Sequence, residues 1–151
     1  MLPEKEITNA SPNCVVISKR MINDTIERVF EAWTNPEQLK VWWGPKGFTN
    51  TFHLFDLKPN GRWSLTMHGP DGKDYENESV FIEIKKNEKL VWNHISGHEF
   101  QVVATFEKSA TKTLVIFKMI FDSAEECEKY KVFVVDANEQ NFDRLEALLA
   151  N

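Results

Sequence analysis

The closing stretch SAEECEKYKVFVVDANEQNFDRLEALLA, Ser123 to Ala150, decides the fold. It holds neither Gly nor Pro, and Ser123 can cap a helix with Glu126 three residues on. At about 100° per residue, Tyr130, Val134, Ala137, Asn141, Leu145 and Leu148 share one stripe, with Glu139, Asp143 and Glu146 opposite. A long helix with one apolar stripe needs a second layer to cover it.

The sequence upstream supplies that layer. From Gly47 the apolar period shortens from about 3.6 to 2. Six strands are predicted: Phe48–Leu57, Arg62–His68, Tyr75–Lys86, Lys89–Ser96, Glu99–Lys108 and Thr113–Phe121. Lys58-Pro59-Asn60-Gly61 and Gly69-Pro70-Asp71-Gly72 have turn chemistry, and the short breaks imply an antiparallel meander. Cys14–Met21 reads as an earlier strand, by the alternation of Val15, Ile17, Lys19 and Met21. Between it and the meander, Asp24-Thr25-Ile26-Glu27 and Asn35-Pro36-Glu37-Gln38 each open a short helix. The expected fold is therefore α+β: a curved seven-stranded antiparallel sheet, two short helices, and a long C-terminal helix gripped by the sheet.

Alternation assigns an inward face to His53, Phe55 and Leu57; to Trp63, Leu65 and Met67; and to Val80, Ile82 and Ile84. Leu90, Trp92 and His94, Phe100, Val102 and Phe106, and Val115, Phe117, Met119 and Phe121 continue it.

A length of 151 residues suits one domain, expected at 14–151 behind a flexible tail at 1–13. The 11 Phe, 5 Trp and 2 Tyr favour a thick core or a ring-lined cavity. A net charge of −5 without a Lys/Arg block argues against nucleic acid and against a membrane surface. Met1–Ala10 lacks the apolar run of a signal peptide, so a cytoplasmic location without membrane insertion is expected. Cys14 and Cys127 read as two thiols rather than a disulfide.

The expected site is a cavity beneath the last helix. Its lining is predicted as Trp42, Trp43, Phe48, His53, Phe55, Trp63, Met67, Tyr75, Trp92, Phe117, Met119 and Phe133, with Asn138 and Asn141 in the roof. The two amides lie about 60° apart within the helix stripe. They either meet a ligand or water, or bond to the sheet. On the ligand reading, Asn141→Leu alters binding and barely affects stability. His53 and His94 are core residues or carbonyl-orienting groups, and Asp56 and Glu78 are either buried acids or partners of Arg62 and turn amides. Spacings for a metal site, a phosphate loop or a nucleophile elbow are missing, so no metal, cofactor or catalytic residue is expected.

Phe30-Glu31-Ala32-Trp33-Thr34-Asn35-Pro36-Glu37-Gln38-Leu39 followed by Trp42-Trp43-Gly44-Pro45-Lys46-Gly47-Phe48 resembles bacterial single-domain homologues of the heat-shock-protein-90 ATPase activator. Asp56 to Trp63, Met67 to Tyr75, Ser123-Ala124-Glu125-Glu126 and Asp143-Arg144-Leu145 extend the likeness over roughly Cys14 to Ala150. The resemblance implies the START-like (SRPBCC) helix-grip fold, shared with the birch pollen allergen and polyketide cyclases, and a cavity under the long helix. It implies little about activity. The eukaryotic co-chaperone carries a separate N-terminal domain not found in this sequence, which weakens the case for a chaperone partner. Asn138-Glu139 stands where relatives often have Trp-Asn. The favoured function is binding of a small hydrophobic or amphipathic molecule, by a monomer or a homodimer. A cyclase- or hydrolase-like enzyme and a protein-interaction module are the alternatives.

Overall fold

The structure is a computed structural model describing residues 14–97 and 99–150. The tail expected at 1–13 lies outside these residues, as does His98. The described elements are β1 (Val15–Ile22), α1 (Ile26–Thr34), α2 (Pro36–Trp42), β2 (Thr49–Phe55), β3 (Arg62–His68), β4 (Asp74–Lys85), β5 (Lys89–His94), β6 (Phe100–Ser109), β7 (Lys112–Phe121) and α3 (Ala124–Leu149). The strands form one antiparallel sheet in the order β1-β7-β6-β5-β4-β3-β2. This is the helix-grip fold expected from the sequence.

Local chemistry sets the helix starts. Ser123 Oγ accepts the Glu126 N–H at 3.1 Å and opens α3. Asn35 Oδ1 accepts the Glu37 N–H at 2.9 Å with Pro36 at the first helical position, which bends the chain between α1 and α2. The cap of α1 is Thr25 rather than Asp24: Thr25 Oγ1 accepts from Arg28 N–H. Asp24 instead accepts the Thr25 N–H at 2.7 Å and binds the Arg28 guanidinium at 2.6 Å. In the Lys58–Gly61 turn the left-handed position is Asn60, φ 68°. Gly61 is needed for space, because a Cβ there would run into the Asp56 carbonyl oxygen.

Two strands break the simple alternation. On β2, Phe52 opposes Leu65 and Phe55 opposes Trp63, so three steps face two and one residue is extra. On β4, Phe81 opposes Trp92 and Ile84 opposes Leu90, again with one residue extra. Before each bulge the inward phase is therefore shifted by one. Phe52 and Phe55 point in, while His53 turns outward to Thr66. Phe81 and Ile84 join the core, whereas Ile82, expected inside, packs on the outer face with Val91, Val103 and Ile120.

The long helix is fastened along one edge of the sheet. Arg20 on β1 reaches Glu139 at 2.7 Å, Glu146 at 2.8 Å and Asp143 at 3.1 Å, and lies 5.3 Å from the Phe142 ring centre. Burial, the largest single influence, pulls this guanidinium's pKa down, but the bonds to Glu139 and Asp143 and the acidic charges around it leave it raised. The three acids opposite the apolar stripe thus form a clasp to β1. Asn138 Nδ2 adds a bond to Ser18 Oγ at 3.2 Å. Leu145, Phe142 and Val134 close the core on this side. Fastening at the β1–β7 edge leaves the middle of α3 standing over β3–β6.

Candidate functional site

Below the middle of α3 is a cavity of about 790 Å³, within the roughly 300–1,000 Å³ range of ligand pockets. Its floor is Trp63, Leu65 and Met67 of β3, Asn77 and Ser79 of β4, Trp92 and His94 of β5, Phe100 and Val102 of β6, and Phe117 and Met119 of β7. The roof is Tyr130, Phe133, Val134, Ala137, Asn138, Gln140 and Asn141 of α3. Trp43, Gly44, Pro45 and Phe48 close one side. Phe133 and Tyr75 stand at the solvent side, 70% and 44% exposed.

The rings of this floor hold one another. Trp43 meets Trp63 at 5.3 Å between ring centres and Trp92 at 5.9 Å, and Trp63 meets Trp92 at 5.4 Å. Trp33 of α1 lies behind them, against Trp42, Trp43, Trp92, Phe106 and Phe117. Edge-to-face packing fixes each ring by its neighbours, so the floor is rigid without filling the space above it.

The segment between α2 and β2 is tied to the roof by polar bonds. Arg144 Nη1 donates to the carbonyls of Gly44 at 2.8 Å, Pro45 at 3.0 Å and Trp43 at 3.2 Å. Its Nη2 donates to Val41 at 2.7 Å and Phe48 at 2.9 Å. Burial holds this guanidinium below its ordinary pKa. Gly44 N–H donates to Asn141 Oδ1 at 2.8 Å, and Lys46 N–H to Gln140 Oε1 at 2.8 Å. Gly44 sits at φ 99°, and a Cβ there would lie 2.9 Å from the Met67 side chain.

The sequence profile of the family described as Activator of Hsp90 ATPase homolog 1-like protein matches residues 23–150. The chain belongs to this family. Solved structures agree on the fold. A protein from Nitrosomonas europaea superposes with a TM-score of 0.86 at 19% identity, covering 93% of this chain and 96% of its own. One from Arthrobacter aurescens gives 0.84 at 20% identity, covering 91% and 87%. An AHSA1 protein from Silicibacter pomeroyi gives 0.72 at 19% identity, covering 90% and 97%. No curated protein matches the sequence.

In this member of the Hsp90-activator-like family, eleven of the predicted positions lie along the cavity: Trp43, Phe48, Trp63, Met67, Tyr75, Trp92, Phe117, Met119, Phe133, Asn138 and Asn141. Three do not. Trp42 points away, its Nε1 donating to the Ala32 carbonyl at 2.8 Å, because adjacent residues at the end of α2 cannot both face the sheet. Phe55 packs beside the floor on Phe52, Trp63 and Phe81. His53 is on the outer face, 2.7 Å from Thr66 Oγ1, at the β2 bulge. Of the other ionisable candidates, Glu78 pairs with Arg62 at 3.2 Å and Asp56 lies 3.6 Å from Lys58. His94 does face the cavity, with Nε2 2.7 Å from Asn77 Oδ1 and its ring stacked on Phe100.

Sequence reading also missed contributors. Ser79 and Asn77 escaped because the bulge on β4 shifts the phase. Arg144 escaped because an arginine in a helix motif gives no sign of five carbonyl partners. Among the described residues no group of three or more His, Cys, Asp or Glu could hold a metal ion, and no helix is long and apolar enough to span a membrane.

Asn141 has a structural task as well as a place in the roof. Asn141→Leu is expected to cost about 1–3 kcal/mol, the usual penalty for leaving a buried donor such as the Gly44 N–H unpaired. Urea denaturation measures it. This replaces the neutral stability expected from the sequence.

Proposed function

We propose that the chain binds a small hydrophobic or amphipathic molecule in the cavity between α3 and the sheet. The observation that carries this reading is the volume of about 790 Å³ left beneath α3 by a floor of interlocked rings. Apolar walls with a few polar atoms are the usual composition of such pockets. The family membership supplies the fold, and it leaves the ligand open. The enzymatic alternative has little to draw on here, since His53 faces away and Glu78 and Asp56 have basic neighbours.

The test fills the space. Val134 lines the cavity from α3, and Val134→Trp would place an indole in it. We expect this variant to lose binding of ethylnaphthalene, followed by tryptophan fluorescence, at least tenfold, and to lose any small molecule that native mass spectrometry finds on the parent. Its melting temperature should stay within about 4 °C, because a void takes a larger side chain without the roughly 1–3 kcal/mol cost of overpacking. Unchanged binding in a folded Val134→Trp protein would refute the proposal.

A further inference from the structure

We infer that the ligand of this cavity is an uncharged molecule bearing both a carbonyl-type acceptor and a hydroxyl-type donor on its apolar body. The inference rests on the proposed binding function and narrows it to a chemical class.

Charge comes first. None of the residues lining the cavity is Asp, Glu, Lys or Arg. Arg144, which ties down one wall of the cavity, spends its guanidinium on five backbone carbonyls. His94 is engaged with Asn77 and Phe100. A carboxylate or an ammonium would leave water with no opposite charge to meet it, which is strongly unfavourable. A fatty acid therefore fits poorly although its chain would suit the walls.

The polar atoms come next. Ser79, Asn138 and Asn141 are 3%, 3% and 5% exposed and all line the cavity. Asn141 Oδ1 must be the acceptor of the Gly44 N–H, since a backbone nitrogen only donates, so Nδ2 is left over. Asn138 turns Nδ2 toward Ser18 Oγ and Met119 Sδ, so Oδ1 is left over. Ser79 Oγ makes no hydrogen bond to the described residues. None of these three is among the sealed, unpaired side-chain atoms of the described residues, which are Nε1 of Trp33 and Trp63 and Oδ1 of Asn50.

The roof thus offers one free donor group and one free acceptor, and the floor offers a hydroxyl that can act as either. A molecule that displaces solvent from them gains only if it supplies the same bonds. A carbonyl answers Asn141 Nδ2, a hydroxyl answers Asn138 Oδ1, and Ser79 Oγ can accept or donate to whichever end reaches β4.

A matched naphthalene series tests this on the full chain at neutral pH, by tryptophan fluorescence titration. Ethylnaphthalene has neither polar group, acetylnaphthalene has the acceptor, hydroxyacetylnaphthalene has both, and hydroxynaphthoate replaces the ketone with a carboxylate. We expect hydroxyacetylnaphthalene to bind roughly tenfold tighter than ethylnaphthalene, because a site with unpaired polar atoms discriminates against analogues lacking their partners. Acetylnaphthalene should fall between them and hydroxynaphthoate should bind weakest. Ser79→Ala removes no protein hydrogen bond, so its melting temperature should hold, while the preference for hydroxyacetylnaphthalene over ethylnaphthalene falls about fivefold. Asn141→Asp keeps the acceptor for Gly44 N–H and removes the donor, and should erase the advantage of acetylnaphthalene over ethylnaphthalene. Equal affinity for the three neutral probes overturns the inference and leaves the binding function standing. So does tightest binding of hydroxynaphthoate, or an unchanged preference in Ser79→Ala. Failure of every probe to bind overturns the binding function and the inference together.

Discussion

Arg144→Met is expected to melt about 6–12 °C below the parent chain and to lose ligand binding with it. The substitution keeps the aliphatic stem and removes the guanidinium whose Nη1 and Nη2 hold the carbonyls of Val41, Trp43, Gly44, Pro45 and Phe48. Single hydrogen bonds to charged groups contribute about 1.5–3 kcal/mol. Five do not add, because the freed segment can turn some carbonyls to water. A net loss of about 3 kcal/mol is the reasonable figure, and at this chain length each kcal/mol moves the melting point by about 2–4 °C. Lysine should recover less than half of the loss, since a point charge cannot meet five carbonyls spread along a turn. Circular dichroism melts check both variants. A shift under about 2 °C for Arg144→Met would show that the segment holds its shape without the clamp. The loss of binding follows from geometry, as Trp43, Gly44, Pro45 and Phe48 are one wall of the cavity.

The second large effect is expected at Trp33→Ala, about 3–5 kcal/mol by denaturant unfolding. Trp33 is 2% exposed and touches five other rings. Three of those, Trp43, Trp92 and Phe117, also face the cavity. Removing the ring behind them takes away both its transfer free energy and the support that keeps the floor flat. The floor rings can then sink toward α1, so the variant should also bind ethylnaphthalene more weakly even where it remains folded. A loss below about 1 kcal/mol would mean the neighbouring rings close the gap at little cost, and the floor is softer than the packing suggests.

Much of the fold was legible because its signals are local and periodic. The stripe on Ser123–Ala150, the cap at Ser123, the Asn35-Pro36 helix start and the alternating runs each follow from short-range chemistry, and each has its counterpart in the structure. The bulges were not legible. One extra residue on β2 and one on β4 leave no mark on composition, yet each reverses which side chains face in over half a strand. That single effect moved His53 out, brought Ser79 and Asn77 in, and sent Ile82 to the outer face. Trp42 failed for a different reason. Two tryptophans in succession look equally available in a sequence, but at the end of a helix they diverge, and only Trp43 lines the cavity. The role of the α3 acids was not legible because Arg20, more than a hundred residues away in sequence, is what gathers them.

The cavity itself lies at the limit of what sequence can say. Ring-rich strands under an apolar helix predict a packed core as readily as an open one. The difference comes from where α3 is fastened. The Arg20 clasp and the Asn138–Ser18 bond pin it to β1, and the Arg144 clamp sets the opposite wall. Both attachments fall within residues 138–146, and the roof residues Tyr130, Phe133, Val134 and Ala137 precede them on the same helix, over the floor.

The most direct test is an NMR experiment on the chain saturated with ethylnaphthalene, recording nuclear Overhauser effects from its ring protons. Contacts to the indole protons of Trp63 and Trp92 and to the Val134 methyls would place the probe between sheet and helix, as the account predicts. A saturated sample with contacts only to exposed side chains such as Val132 and Val41, and none to those indoles, would contradict it.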